Sequence, residues 1–99
     1  MERVVVTAKL KPGSEAAAAE LLEAGPPYDP REIGLVRHSA YLAGSEVVFV
    51  FEGPDVEQQL RTLLNDPAAS AAFAVWGPLL EGSPSAAREL FHWEASEPA

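Results

Sequence analysis

The chain has 99 residues, enough for one domain and too few for separate catalytic and binding halves. Seven basic side chains against fifteen acidic ones leave a net charge of −8, a surface that repels the phosphates of nucleic acids and of anionic membranes. With no cysteine there are no disulfides, thiolate nucleophiles or cysteine-based zinc sites, a cytoplasmic location is expected, and no apolar run approaches the roughly 18 residues of a membrane span.

The start, "MERVVVTAKLKPG", carries charges on both sides of a short strand-like run and lacks a cleavage-site pattern, so it is not read as a signal peptide. "RVVVTAKL" (Arg3–Leu10) reads as a strand stopped by Pro12-Gly13. Ser14 is placed to cap the following helix, with Glu15 in its positive first turn. Ala17, Leu21 and Ala24, joined by Ala18 and Leu22, share one face of that helix, and Gly25 with two prolines ends it. Pro26–Ile33 is a proline-stiffened loop.

Two apolar runs flank Gly44-Ser45, which suits a two-residue hairpin loop with glycine first. That loop sets Tyr41 opposite Val48, Ser39 opposite Val50 and Arg37 opposite Glu52, the last a cross-strand ion pair. The other face then carries His38 opposite Phe51, Ala40 opposite Phe49 and Leu42 opposite Val47. Asp55 is the next N-cap candidate, with Gln58 close to a capping box, and Val56, Leu60, Leu63 and Leu64 form the buried stripe of a second helix. Asn65 closes it. Asp66-Pro67 opens a further helix with Ala69, Phe73, Trp76 and Leu80 inward, and Pro78 kinks or ends that segment. "ARELFHWEA" reads as the final strand. Residues 1–95 form the single domain, and 96–99 are expected to fray.

The resulting order is β-α-β-β-α-β, the second helix split in two. This is the ferredoxin-like α+β arrangement, a four-stranded antiparallel sheet with its helices on one face. The opposite face would carry Tyr41, Ser39, Val48 and Val50, with either Val5, Thr7 and Lys9 or Val4, Val6, Ala8 and Leu10 from the first strand. A solvated face should be polar at every second position, and this one is not. A homodimer that packs sheet against sheet is therefore expected, burying roughly 800 Å² per partner.

The stretches "KLKPGSEAAAAELL", "GLVRHSAYLAGSEVVFVFEGPD" and "LLNDPAASAAFAVWGPLL" resemble, in that order, small proteins of the dimeric α+β barrel superfamily. The likeness is nearest to SchA/CurD-like proteins associated with polyketide biosynthesis, and extends to antibiotic-biosynthesis monooxygenases and L-rhamnose mutarotases. It implies a sheet-paired dimer with a ligand cavity between sheet and helices in each subunit. Two activities of that superfamily are disfavoured. Rhamnose mutarotases place a histidine on the first helix, and residues 14–25 contain none. Haem-degrading relatives use an asparagine on the first strand, where this chain has Thr7.

His38 is the candidate catalytic residue. It faces the helices beside Phe51, where a neutral imidazole could act as general base or hydrogen-bond a ligand oxygen. The alternative is a core or rim histidine satisfied by a backbone carbonyl. Trp76, Phe73, Phe49 and Phe51 would wall a pocket for a planar apolar ligand, or simply fill the core. Tyr28 could cap the cavity mouth, or pack on the surface. Trp93, alternating with His92 on the last strand, is the further pocket candidate, with His92 turned to the dimer face or solvent. Two histidines on opposite faces make a poor metal site, so no metal and no cofactor are expected. Two readings follow. One is a cofactor-independent cyclase- or monooxygenase-like enzyme acting on a small aromatic or polyketide-like molecule. The other is a non-catalytic binding or assembly module whose pocket is closed by packed side chains. An open space of about 300 Å³ or more reaching His38 would favour a ligand.

Overall fold

A computed structural model describes residues 1–26 and 28–95, with the side chains of 68, 69 and 72 left aside. The predicted frayed tail and the inward Ala69 therefore lie outside the described parts. Valine-rich β1 (Glu2–Lys9) pairs on one edge with β3 (Glu46–Gly53) and on the other with the short β4 (Ser85–Ala87). The second strand, β2 (Arg37–Ala43), pairs with β3, so the sheet runs β2-β3-β1-β4 and is antiparallel throughout. The hairpin register is the predicted one, from Arg37↔Glu52 through His38↔Phe51 to Ala43↔Glu46. Gly44 takes φ 59°, the left-handed value a glycine-first loop demands and that side chains resist.

The helices are α1 (Glu15–Glu23), α2 (Val56–Leu64) and α3 (Pro67–Phe73), the last tightening into a 3₁₀ segment, Ala74–Leu79, that contains Pro78. Both predicted side-chain caps fail. Ser14 is already helical (φ −93°, ψ 0°), and Asp55 sits at φ −130°, ψ 43°; neither side chain bonds its helix. The first turn of α2 is served from elsewhere: the Glu57 N–H donates to Glu2 Oε1 at 3.1 Å, so a carboxylate on β1 satisfies an orphan donor at the positive helix end. Asn65 closes α2 as expected. The expected stripe loses Leu64, which is 63% exposed. At about 100° per residue it lies roughly 80° round the helix from Val56, at the stripe's edge, whereas Leu60 and Leu63 stay within about 40°.

The strand expected over 87–95 is corrected. The ladder covers only Ser85–Ala87, paired with Thr7, Val6 and Val5. Continuing that register would set Phe91 opposite Met1, so β1 offers no partner beyond Phe91. Arg88–Leu90 leave the ladder earlier, and Glu89 and His92 meet the side chain of Arg3 instead.

The helix-facing side of the sheet holds two buried groups. Ala8, Leu10, Ala18, Val47 and Leu80 pack under α1 and the 3₁₀ segment, and Leu35, Phe51 and Val56 pack under α2. Phe49 touches both. The choice left open for β1 is thereby settled: Val4, Val6 and Ala8 face the helices, and Val5, Thr7 and Lys9 face away with Ser39, Tyr41, Val48 and Val50. Glu52, on that open face, is nonetheless buried; Arg3 Nε reaches it at 2.7 Å and Arg37 Nη1 at 3.4 Å. No helix among the described residues is long and apolar enough to cross a membrane.

Candidate active site

Between the two buried groups the interior is hollow. A cavity of about 1110 Å³, open at one side, is floored by β1, β2 and β3 and roofed by α1, α2, α3 and the 3₁₀ segment. Its volume slightly exceeds the 300–1,000 Å³ usual for small-molecule sites. The floor is apolar because strand alternation delivers every second side chain of the sheet to it, Val6 and Phe49 among them.

His38 lines this cavity. Its Nδ1 lies 2.9 Å from the carbonyl oxygen of Val50. A carbonyl only accepts, so Nδ1 carries the proton, and in the neutral ring the lone pair is left on Nε2, at the far tip of the side chain. The imidazole stacks on Phe51, centroids 4.5 Å apart and planes 20° from parallel. A backbone carbonyl satisfies one nitrogen, as the structural expectation for this residue had it, and among the described residues the other makes no hydrogen bond.

Tyr28 closes the same end. Its ring stands 6.2 Å from that of His38 and meets Phe73 edge-on at 5.9 Å. It is half-buried and lines the cavity, so it is not an ordinary surface tyrosine. Burial pushes its phenol up to about 12, so the hydroxyl, already a neutral donor at physiological pH, stays one well into the alkaline range. Among the described residues that hydroxyl has no hydrogen-bond partner.

Trp76 sits on the 3₁₀ segment, half-buried, its ring perpendicular to Phe49 at 5.6 Å. With Phe51 and Phe73 these residues line the cavity. Trp93 does not: it is 73% exposed and away from the cavity, because the strand meant to carry it inward ends at Ala87. His92 is turned to the open side, where Arg3 Nη1 donates to its Nδ1 at 2.8 Å.

Residues that sequence reasoning passed over include Val4 and Val6 on the floor, and Glu57 and Arg61, which flank the α2 stripe at the rim. Helical spacing signalled the latter pair, since Arg61 adjoins Leu60 and follows Glu57 by one turn. Among the described residues no cluster of His, Asp and Glu could hold a metal ion. What the arrangement offers is a base lone pair and a phenolic donor at one end of an apolar cleft, enough to shift a proton next to a carbonyl.

No protein-family profile matches the chain, and no curated protein does. Among solved structures it is similar to tetracenomycin F2 cyclase from Streptomyces glaucescens, a type-II polyketide cyclase. The two share 20% identity and a TM-score of 0.73 over 97% of this chain and 100% of that one. L-rhamnose mutarotase from Formosa agariphila matches at 17% identity and TM-score 0.70, covering 95% and 100%. A protein of unknown function from Nitrosomonas europaea matches at 28% identity and TM-score 0.70, covering 97% and 94%. Likeness at these identities concerns the fold. The chain has the ferredoxin-like fold shared by the dimeric α+β barrel proteins.

Proposed function

We propose that this chain is a cytoplasmic single-domain enzyme of the SchA/CurD-like kind, a homodimer that closes or rearranges a small aromatic or polyketide-like molecule without a cofactor. The observation that carries this reading is the pairing of His38 Nε2 with the Tyr28 hydroxyl, neither hydrogen-bonded among the described residues, at one end of an apolar cavity of about 1110 Å³. His38 Nε2 takes a proton from a carbon next to a carbonyl, and Tyr28 donates a hydrogen bond to the oxygen where negative charge gathers. The enolate carbon then attacks a second carbonyl of the same molecule. The new alkoxide takes back the proton that His38 holds, so atoms and charge balance with no oxidant. The walls of Trp76, Phe49 and Phe51 hold a planar chain folded, which supplies proximity.

A monooxygenase-like reaction would need dioxygen as co-reactant, and two proton-handling groups suit ring closure better. The alternative of an assembly module with a closed pocket fits the hollow interior less well. The homodimer in this reading uses the open face of Val5, Tyr41, Val48 and Val50. The direct test is titration with planar aromatic ketones and phenols in a Trp93→Phe background, followed by the fluorescence of the remaining Trp76. Saturable quenching that Val6→Phe, which fills the floor, removes is the expected result; no binding by any of them would overturn the ligand site.

A further inference from the structure

The lining of the cavity is mostly apolar, and among its described residues only Glu57 and Arg61 carry charge. Both are exposed and stand one turn apart on α2. Measured round that helix from Val56, Leu64 lies at about 80°, Glu57 at about 100° and Arg61 at about 140°. They make one arc beside the stripe that Val56 and Leu63 bury. Leu64, 63% exposed, is a large apolar side chain facing open space at the mouth. Leu60, between arc and stripe, packs on the buried group that contains Phe51, as Tyr28 does. The arc therefore borders the end of the cavity where His38 stacks on Phe51. Arg3, Arg31 and Arg37 each hold a carboxylate. Among the described residues the Arg61 side chain has no ion pair and no hydrogen bond, although Glu57 stands at the spacing at which such pairs form.

We infer that Arg61 receives a carboxylate of the ligand, so that the cavity takes an aromatic or polyketide-like acid with its charge at the mouth and its apolar body inside. This rests on the ligand cavity proposed above and names the class of molecule it takes. The planar fork of arginine donors matches a carboxylate with two parallel hydrogen bonds. Beside apolar walls such a pair is stronger than in open water. Leu60 and Leu64 flank Arg61 on the same side of α2 and give an aromatic ring an apolar seat next to the cation. The charge this rim accepts is single. A dianion such as a phosphate monoester would meet one cation and the neighbouring Glu57 carboxylate, on a chain of net charge −8, whereas a monoanion balances Arg61. Anchored there, the molecule presents its inner end to His38 and Tyr28, which selects the carbon that loses a proton.

Three probes with one ring system and different charge test this: 2-naphthoate, its neutral methyl ester and 2-naphthyl phosphate. Binding to the full chain at neutral pH is read from Trp76 in the Trp93→Phe background. Arg61→Gln should keep its circular dichroism, because the side chain has no partner to lose. It should raise the Kd of 2-naphthoate about fivefold or more and leave that of the ester within about twofold. Glu57→Gln, which removes the rival carboxylate, should lower the Kd of 2-naphthoate about two- to fivefold. The phosphate should bind more weakly than 2-naphthoate. Unchanged 2-naphthoate affinity in Arg61→Gln, or a loss that the ester shares, overturns the carboxylate seat and leaves the cavity standing. A phosphate that binds more tightly than 2-naphthoate, and through Arg61, overturns the choice of a monoanion. If none of the three binds, the ligand cavity itself falls, and the seat with it.

Discussion

The Nδ1 of His38 and the carbonyl oxygen of Val50 stand 2.9 Å apart, a side chain of β2 bonded to the backbone of its neighbour β3. The bond does for this histidine what a carboxylate does in many catalytic pairs: it fixes the tautomer and the ring orientation. Asparagine can keep the donor near the Nδ1 position while discarding Nε2. His38→Asn should therefore fold with little change in melting temperature and lose about 10²–10⁴-fold in turnover of any substrate found. His38→Ala loses both, leaving the Val50 carbonyl to find water. Full turnover in His38→Asn would exclude the base.

Tyr28 supplies a pH signature. In the unfolded chain a tyrosine ionises near 10, and here burial raises it to about 12. Between those values the unfolded state sheds a proton that the folded state keeps, so the contribution of Tyr28 to stability should be flat below pH 10 and fall as pH rises from 10 towards 12. Ultraviolet titration of tyrosinate in a Tyr41→Phe background reads Tyr28 alone, since the chain has two tyrosines. A midpoint near 10 in the folded protein would show that the ring is solvated.

Gly53 is held by a close approach, not by an unusual backbone angle. A Cβ there would lie 2.6 Å from the carbonyl oxygen of Gly34, a backbone atom with little room to yield. Gly53→Ala should destabilise the fold by about 1–3 kcal/mol. Each kcal/mol lowers the melting temperature of a domain this size by roughly 4–8 °C, which calorimetry resolves. An unshifted transition would mean the two segments separate freely.

The open face makes its own prediction. Val48 lies between Thr7 and Tyr41 across the sheet, away from the cavity. Val48→Lys places a charge at the centre of the proposed sheet-to-sheet interface and should yield particles of 10.6 kDa by light scattering, with ligand binding retained. A dimer that survives Val48→Lys would have to use another surface.

The rim can be probed too. Arg61 and Glu57 line the cavity mouth, on one side of α2. Exchanging them (Glu57→Arg with Arg61→Glu) reverses the charges at the two ends of α2 and should cost about 0.6–2 kcal/mol of stability without unfolding the chain. Affinity for a carboxylated ligand should change while that for its neutral ester does not.

Local chemistry was enough to read much of this protein. A glycine-first loop between two β-branched runs fixed the hairpin register residue by residue, and with it the side to which His38 points, because strand side chains alternate without exception. The same reasoning brought Phe49, Phe51 and Trp76 to one wall. Three things were decided only by the chain meeting itself at long range. The face of β1 depended on its pairing with β3, which no short stretch encodes. The last strand ended at Ala87, although β1 continues to Glu2 opposite it, and the chain beyond left Trp93 in water. The cap expected from Asp55 gave way to a carboxylate 55 residues distant, Glu2 on Glu57, and the one expected from Ser14 did not form. Patterning tells which residues shun water; only the packed sheet determines how far each strand runs and which polar group answers which.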